Sequence, residues 1–340
     1  MSYFRSLDNQ ITTLLELLSR DERWLIIMNA DPDALASAMA LRRIMIHRVA
    51  DVAITHVNDI SRPDNLAMIS YLRIPTRKYT PNLAAQYDRF ALVDSQPHHH
   101  PSFKNHSFSI VFDHHPTIEE EPVLADFKDV KPEYGACATL MTEYLYTMKI
   151  RPGKLLATAL LYGIQADTQN FFRKFHDVDV RAFRYLTKIS DPYLLRKVVN
   201  SEFRIGWLNY FSQAFVKMRL VRNGLYVFID DLENPDVLVL LADFFMRVQE
   251  INWASVSGVY KDTLVVIFRG DGRSRDVGRL ASQLFGDLGS AGGHKAMARA
   301  EVPLEKLGGK RPESFVWQKL NRAPKRVAKK TPPPTPTANG

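Results

Sequence analysis

The chain contains one cysteine in 340 residues, too few for an internal disulfide or a cysteine-rich zinc site, and this points to a reducing compartment, the cytoplasm. It contains no run of about 18 apolar residues, which excludes a helical membrane span and leaves the membrane out of the expected partners. Its N-terminal stretch, MSYFRSLDNQITTLLELLSRDERW, lacks the profile of a signal peptide, because acids and polar residues are mixed among its leucines; it reads as an amphipathic helix. Internal repeats are absent. Hydrophobic residues at 46% and charged residues at 24% are ordinary for a globular protein, and the length suits two or three domains.

The formal net charge of +8 is concentrated at one end. Residues 319–340 hold Lys319, Arg322, Lys325, Arg326, Lys329 and Lys330 and no acid; removing these six lowers the charge of the remainder to +2. A basic, proline-rich segment ending TPPPTPTANG cannot bury a core, so a disordered tail is expected over 319–340. It is a candidate contact for nucleic acid through phosphate attraction, and equally a solubilising end.

The first half alternates apolar runs with helical patterns. Strands are expected at LIIMNA (25–30), VAITHV (52–57), FALVDS (90–95) and FSIVFDHH (108–115), and helices after DPD, from Pro63 to Leu72, at 135–149 and at 153–166. Such alternation predicts an α/β fold with a parallel sheet covered on both faces. Residues 178–222 are strand-poor and amphipathic and read as a helical connector, within which Trp207, Tyr210, Phe211 and Phe215 fall at helical spacing as internal packing or as a homodimer face. A second α/β unit follows: strands at 225–230, 253–260 and 263–270, helices over 235–249 and near 275–286, then GSAGGHKAMARAEV. Only Lys261 and Asp262 separate two of these strands, so this sheet is at least partly antiparallel.

Ligands of open α/β sheets bind beyond the carboxyl ends of the strands. Asp31 and Asp33, Asp94, and Asp113-His114-His115 all fall there, and Asp167 follows the helix at 153–166. Five aspartates and two histidines brought to one crevice would repel unless a cation sat among them. Oxygen donors with a histidine suit Mn²⁺ or Mg²⁺. Taken singly, each piece has a plainer reading, Asp-Pro-Asp as a helix cap and Asp-His-His as a solvated turn. Cys137 reads as a small buried residue at a helix start.

DPDALASAMAL, ALVDSQP, VFDHHP, GIQADTQNF and GSAGGHKAMA resemble, in order, the motifs of the DHH phosphoesterase superfamily with its C-terminal DHHA1 domain, over most of residues 20–305. The size is similar to that of the nanoRNase (oligoribonuclease)/pAp phosphatase group. The resemblance implies a DHH catalytic domain at 1–190, a helical connector at 191–222 and a smaller mixed-sheet DHHA1 substrate-binding domain at 223–310. It implies metal-dependent hydrolysis of short single-stranded RNA or DNA, or of 3′-phosphoadenosine 5′-phosphate. Two ions are implied: Asp94 bridging them, Asp33, His114 and Asp167 completing the second site, and Asp31 in the first. His115 would face the phosphate and Asp113 would orient His114. Isoleucine stands at position 27, where the family commonly has a histidine ligand, so the first site is expected to be weakened; His98, His99 and His100 are candidates to compensate.

For the substrate, the resemblance points to Gly292, Gly293 and His294, where backbone meets nucleotide closely. Arg273, Ser274 and Arg275 are expected as a phosphate clamp, and Arg62 and Asn65, after the strand at 52–57, as further contacts. Arg299 stands where the family often has glycine. The competing expectations are a phosphoesterase acting on pyrophosphate, polyphosphate or a dinucleotide, and a non-catalytic nucleotide-binding protein produced by the loss at position 27.

Overall fold

The computed structural model describes residues 3–201 and 203–322. They form two compact units that divide between Arg204 and Ile205. The first unit is a six-stranded parallel sheet of β1 (Arg23–Met28), β2 (Asp51–His56), β3 (Thr76–Lys78), β4 (Arg89–Val93), β5 (Ile110–Asp113) and β6 (Phe127–Val130), in the order β3-β2-β1-β4-β5-β6. Its helices are α1 (Asp8–Glu16), α2 (Pro32–Met45), α3 (Pro63–Leu72), α4 (Pro81–Ala84), α5 (Cys137–Thr147), α6 (Lys154–Asp167), α7 (Asp177–Thr187) and α8 (Pro192–Val199).

Successive side chains of β1 supply two different cores. Trp24, Ile26 and Met28 join the large cluster with α2, α5 and α6, while Leu25 and Ile27 pack with Leu92, Phe103 and Val111 on the other face. A strand covered on both faces must be apolar throughout, as RWLIIM nearly is. The strand order reverses between β1 and β4, which opens a crevice above their carboxyl ends. The loops carrying Asp31 and Asp94 leave the sheet at that point.

The second unit holds α9 (Leu208–Lys217), β7 (Arg219–Val221), β8 (Gly224–Ile229), α10 (Asp236–Phe245), β9 (Trp253–Tyr260), β10 (Thr263–Gly270), α11 (Val277–Phe285), β11 (Ser290–Gly293), β12 (Met297–Pro303) and α12 (Pro312–Arg322). Its sheet order is β11-β12-β10-β9-β8-β7. The β8–β9 pair is parallel and the others are antiparallel, so the expected mixed sheet is present, with Tyr260 facing Thr263 across the hairpin.

The segment read as a connector divides between the units. In the first unit α8 belongs to the same core as α6. In the second, Trp207 and Tyr210 are buried against α10 and the sheet, with Phe211 packed beside them and Phe215 half exposed. Lys319 to Arg322, expected in the tail, instead complete α12, because Phe315, Val316 and Leu320 bury into the second unit's core. Residues 323–340 lie outside the described residues. Among the described residues, no helix is long and apolar enough to cross a membrane.

Candidate metal centre and anion pocket

Four functional side chains of the first unit converge because four separate elements end beside one another. Asp31 caps α2, its Oδ1 accepting from Ala34 N at 2.9 Å. The loop before it is pinned by Asn58, whose side chain both accepts from Ala30 N (2.7 Å) and donates to Ala30 O (2.9 Å); sequence reading did not single out this residue. Asp33, in the first turn of α2, reaches across to α5. There its two oxygens accept from Cys137 N at 2.6 Å and Ala138 N at 2.7 Å, replacing the side-chain cap that Ala136 cannot supply. The close approach depends on Gly163 of α6: a Cβ there would lie 3.2 Å from both the Cα and Oδ1 of Asp33.

Asp94 follows β4 directly and is buried with φ +56°, a left-handed conformation that a buried non-glycine residue holds only where its surroundings impose it. Asp167 ends α6, the negative end of a helix dipole, where a carboxylate is disfavoured without a nearby cation. The next turn is strained too, Gln169, Asn170 and Phe171 all having positive φ.

His114 stands at the centre. Its Nδ1 faces Tyr134 O at 3.2 Å. Its Nε2 lies 3.0 Å from Asp167 Oδ2, 3.3 Å from Asp94 Oδ1 and 3.8 Å from Asp33 Oδ2. None of these approaches has the direction of a hydrogen bond: His114 Nε2 and Asp94 Oδ1 are buried without a hydrogen-bond partner. Buried polar atoms that converge without bonding one another fit a shared cation between them. Potential ligand atoms of Asp33, His114 and Asp167 lie within 4.8 Å of one another, and so do those of Asp94, His114 and His115. One imidazole nitrogen among carboxylates is the donor set of Mn²⁺ or Mg²⁺ rather than of a soft metal.

The electrostatics carry the same signature. Burial, then the charge of Asp167, raises Asp33 to about 8. Burial, then Asp33 and Asp31, raises Asp94 well above the ordinary carboxylate range, and burial with Asp167 raises Asp31. For His114, burial opposes the charge, yet Asp167, Asp94 and Asp33 push it up to about 12. The three neighbouring carboxyl groups thus favour the charged form of the His114 ring, as they would favour any cation among them.

The structure corrects the role expected of Asp113. Its Oδ1 accepts from His115 Nδ1 at 2.8 Å, and it does not touch His114 through any hydrogen bond among the described residues. Along extended backbone, residues two apart share a face and adjacent ones do not. Gln96 holds the other oxygen, Nε2 donating to Asp113 Oδ2 at 2.8 Å and reaching His115 O at 3.1 Å. Burial alone would raise Asp113, but the His115 and Gln96 contacts leave it below its ordinary value. His115 is raised chiefly by its hydrogen bond to Asp113.

Ile27 is fully buried in an apolar cluster with Leu25, Tyr87, Leu92 and Phe103. Asp31 joins none of the ligand groups found among the described residues. Of the three histidines, His98 faces Glu121 at 3.7 Å and His100 accepts from Ser102 N at 3.2 Å. Only His99 stands beside the centre: its ring packs edge-on at 5.2 Å from that of His115, and its Nδ1 accepts from Gln96 N at 3.1 Å. Cys137 is buried, and burial with the neighbouring Asp33 pushes its thiol well up, which leaves it unreactive.

Arg62 is engaged by Asp64, Nη2 to Oδ2 at 2.8 Å and Nε to Oδ1 at 3.1 Å. Asn65 is buried with its Oδ1 unpartnered. In the second unit Arg273, Ser274 and Arg275 line a cavity of about 750 Å³. Gly293 and His294 line a smaller one of about 460 Å³, which shares Asp276, Arg279, Gln283 and Lys295 with the first. Gly293 is demanded by the fold itself, having φ +146° and room for no Cβ beside Met297 O, whereas Gly292 faces open space apart from Ser282 Oγ at 3.8 Å. Arg299 is neutralised by Glu301 at 2.7 Å.

No protein-family model matches the chain. It is 31% identical over 278 residues to an uncharacterized protein from Methanocaldococcus jannaschii, a match that covers 82% of this chain and 57% of that protein's length. Among solved structures it is similar to an exopolyphosphatase-related protein from Bacteroides fragilis, with a TM-score of 0.72 and 15% identity over 92% of this chain and 94% of the other. The fold is therefore shared with that protein over most of both chains, and the chain has the parallel α/β sheet and the separate mixed sheet that its sequence led to.

Proposed function

We propose that the chain is a divalent-metal-dependent phosphoesterase that hydrolyses short oligonucleotides or 3′-phosphoadenosine 5′-phosphate. The observation that carries this reading is the convergence of Asp33, Asp94 and Asp167 on His114 Nε2, with buried atoms left unbonded. Asp33, Asp94, His114 and Asp167 would hold one ion, and Asp31 with Asp94 a second, weaker one. Bound ions there would neutralise phosphoryl oxygens and lower the pKa of water, the chemistry that phosphoester cleavage needs.

The chain's own groups have separable tasks. Asp94, fixed in a strained conformation, presents its unbonded Oδ1 toward His114. Asp113 accepts the Nδ1 proton of His115 and so fixes its tautomer. That leaves Nε2 free to donate to a phosphate oxygen when the ring is protonated, a form that the Asp113 hydrogen bond favours. The Gln96 bonds to Asp113 and to the 115 carbonyl keep the loop in one conformation.

The test is release of phosphate and mononucleotide from 3′-phosphoadenosine 5′-phosphate, a dinucleotide, a 5-mer, a 24-mer and pyrophosphate, each with Mn²⁺, Mg²⁺ or chelator. Metal-dependent turnover of the short nucleotides, lost in Asp94→Asn, is the expected result. Turnover of pyrophosphate alone would replace the substrate, and nucleotide binding without turnover would make the loss of histidine at position 27 decisive for a binding protein.

A further inference from the structure

The first unit holds a cavity that the proposed chemistry does not use. It measures about 750 Å³ and lies where α5 and α7 both end, lined by Arg5, by the turn after α5 and by Tyr185, Lys188 and Ile189. Cys137, at the start of α5, gives its N–H to Asp33. Tyr146, on the cavity wall, stands at the far end of the same helix, roughly 14 Å along its axis. The cavity is therefore a separate place from the metal centre.

Its charge has one sign. Lys149, Arg151 and Lys188 line it and make no ion pair among the described residues, and no carboxylate lines it. Arg5 is already answered by two buried acids, Asp129 at 2.9 Å and Glu143 at 3.0 Å. Cations do favour the C-terminal ends of helices, each of which carries about half a negative charge. The ends of α5 and α7 thus offset about one of the three positive charges, and about two remain. Lys149 also holds a left-handed backbone, φ +56°, in the turn that closes α5, where Lys149 N donates to Tyr146 O at 3.0 Å and Ile150 N to Leu145 O at 2.8 Å. Glycine is the usual residue at that place; a lysine there accepts backbone strain and sets a charge on the cavity wall.

The rest of the wall is apolar and aromatic. Tyr146 and Tyr185 meet edge to face at 5.2 Å. Tyr3, stacked on Tyr146 at 5.8 Å, and Phe4, edge-on to it at 5.1 Å, brace the pair. Leu145, Ile150 and Ile189 complete the lining. Burial raises the Tyr185 hydroxyl above its ordinary value and the charge of Arg151 pulls it back, so cation and ring stand side by side. The volume is in the range of sites for organic ligands and larger than an inorganic ion requires. Cations beside an apolar, ring-lined wall fit a molecule that has both a flat ring and a negative group.

We propose that this cavity binds a small anion carrying a flat ring, its charge held by Lys149, Arg151 and Lys188 and its ring laid against Tyr146 and Tyr185. A nucleoside phosphate and an aromatic carboxylate share that chemistry. The site goes beyond the phosphoesterase reading and does not depend on it.

The experiment is calorimetric titration, in chelator, of the full chain carrying Asp94→Asn and Arg275→Gln, which weakens the metal centre and the second unit's cavity as competing sites. The probes are AMP, benzoate, adenosine and inorganic phosphate. AMP is expected to bind, and adenosine and phosphate at least about tenfold more weakly, since each lacks one half of the contact. Adding Arg151→Gln or Lys188→Gln should weaken AMP by about threefold to tenfold, and both together by more. AMP should also bind more tightly than benzoate, its phosphate bringing more charge to three cations; benzoate the tighter, with the same dependence on Arg151 and Lys188, keeps the site and assigns it to aromatic carboxylates. AMP affinity unchanged in the double glutamine variant overturns the site. A lower melting temperature in Lys188→Gln with AMP affinity retained does so too, because the cations would then serve only the helix ends. Phosphate or adenosine as tight as AMP overturns the assignment to ring-bearing anions. Should the glutamine variants fail to fold, the salt series decides: AMP affinity must fall as ionic strength rises, and an affinity independent of salt overturns the cation contacts. No turnover is read in any arm, so failure here leaves the phosphoesterase standing, and an inactive wild-type chain leaves these titrations unaffected.

Discussion

Two places where this chain gathers charge are built in opposite ways. In the first unit, carboxylates are buried and crowded around one imidazole, and the chain bears a desolvation cost to keep them there. In the second, guanidiniums stand partly in solvent around a cavity, held by the loop that Asp271 ties to the Arg273 and Ser274 backbone and by the Trp253 indole. The buried cluster is specified by backbone: a left-handed Asp94, an Asp33 that caps α5, an Asp167 at a helix end. The open pocket is specified by side chains from four separate segments, near 222, 252, 273 and 295. A buried cluster tolerates no substitution of shape or charge, whereas an open pocket loses affinity in steps. Substrate chemistry should therefore fail abruptly when the first is altered and gradually when the second is.

The sharpest break of that contrast is at Asp94. Asp94→Asn is expected to abolish metal-dependent turnover, yet to melt no lower than the wild type without metal, because an amide replaces an acid that burial already disfavours as an anion and asparagine tolerates the left-handed backbone. Loss of the Mn²⁺-induced rise in melting temperature in this variant is the check. A variant that kept both turnover and the metal shift would remove Asp94 from the centre.

Metal and proton compete for the same cluster, so pH separates it from the arginine pocket. The folded chain raises Asp33 to about 8. A raised folded-state pKa means that the folded chain retains a proton that the unfolded chain has released. The stability from Asp33 is full below about pH 4 and is lost as pH climbs to about 8. Divalent metal binds the carboxylate and releases that proton. The melting-temperature gain on adding Mn²⁺ should accordingly be small at pH 5 and increase through pH 8, as followed by thermal denaturation with and without chelator. A gain that did not depend on pH would place the ion elsewhere.

Much of the cluster was legible because it lies in covalent neighbours. Asp31-Pro32-Asp33 and Asp113-His114-His115 each follow an apolar run, and a strand's end announces where its loop will open. The contradicted part, Asp113 paired with His115 and not with His114, depends on which way each side chain leaves the backbone, which no motif records. Position 27 was visible as a departure, but only the fold shows that Ile27 is fully buried in an apolar cluster with Leu25, Leu92 and Phe103. Short or weakly patterned strands escaped: Thr76–Lys78, Phe127–Val130 and Ser290–Gly293 are only three or four residues long. Arg222 and Trp253 escaped for another reason, being about thirty residues apart in sequence and joined only through the pairing of β8 with β9, which sets Gly224 against Trp253.

Support around the cluster should matter less than the cluster itself. Asp113→Asn keeps the shape and removes the charge that holds His115, so a loss of about ten- to a hundredfold in kcat is expected, with the His115 pKa falling, read by NMR titration. An unchanged pKa would show that Asp113 acts through packing alone. For the open pocket the effect moves to KM: Arg275→Gln should raise KM for short oligonucleotides by about tenfold and leave kcat near the wild-type value. The salt dependence of KM should weaken with it, since one phosphate contact is lost. If kcat fell as steeply as in Asp113→Asn, the pocket would be part of the reacting centre and the contrast between the two regions would be wrong.

The smallest effects are expected in the histidine run, and they are unequal. His98 and His100 are engaged locally, with Glu121 and with the Ser102 backbone, so their alanine variants should leave turnover and metal affinity unchanged. His99 differs because its ring buttresses His115 and its Nδ1 accepts from the backbone of Gln96, the residue that also holds Asp113. His99→Ala should lower kcat by less than about tenfold and leave KM alone. Metal affinity, measured by titrating Mn²⁺ into the chain under calorimetry, decides between two accounts of this residue. An affinity equal to that of the wild type confines His99 to positioning His115, whereas a clear loss would make it the nitrogen donor that isoleucine at position 27 cannot be.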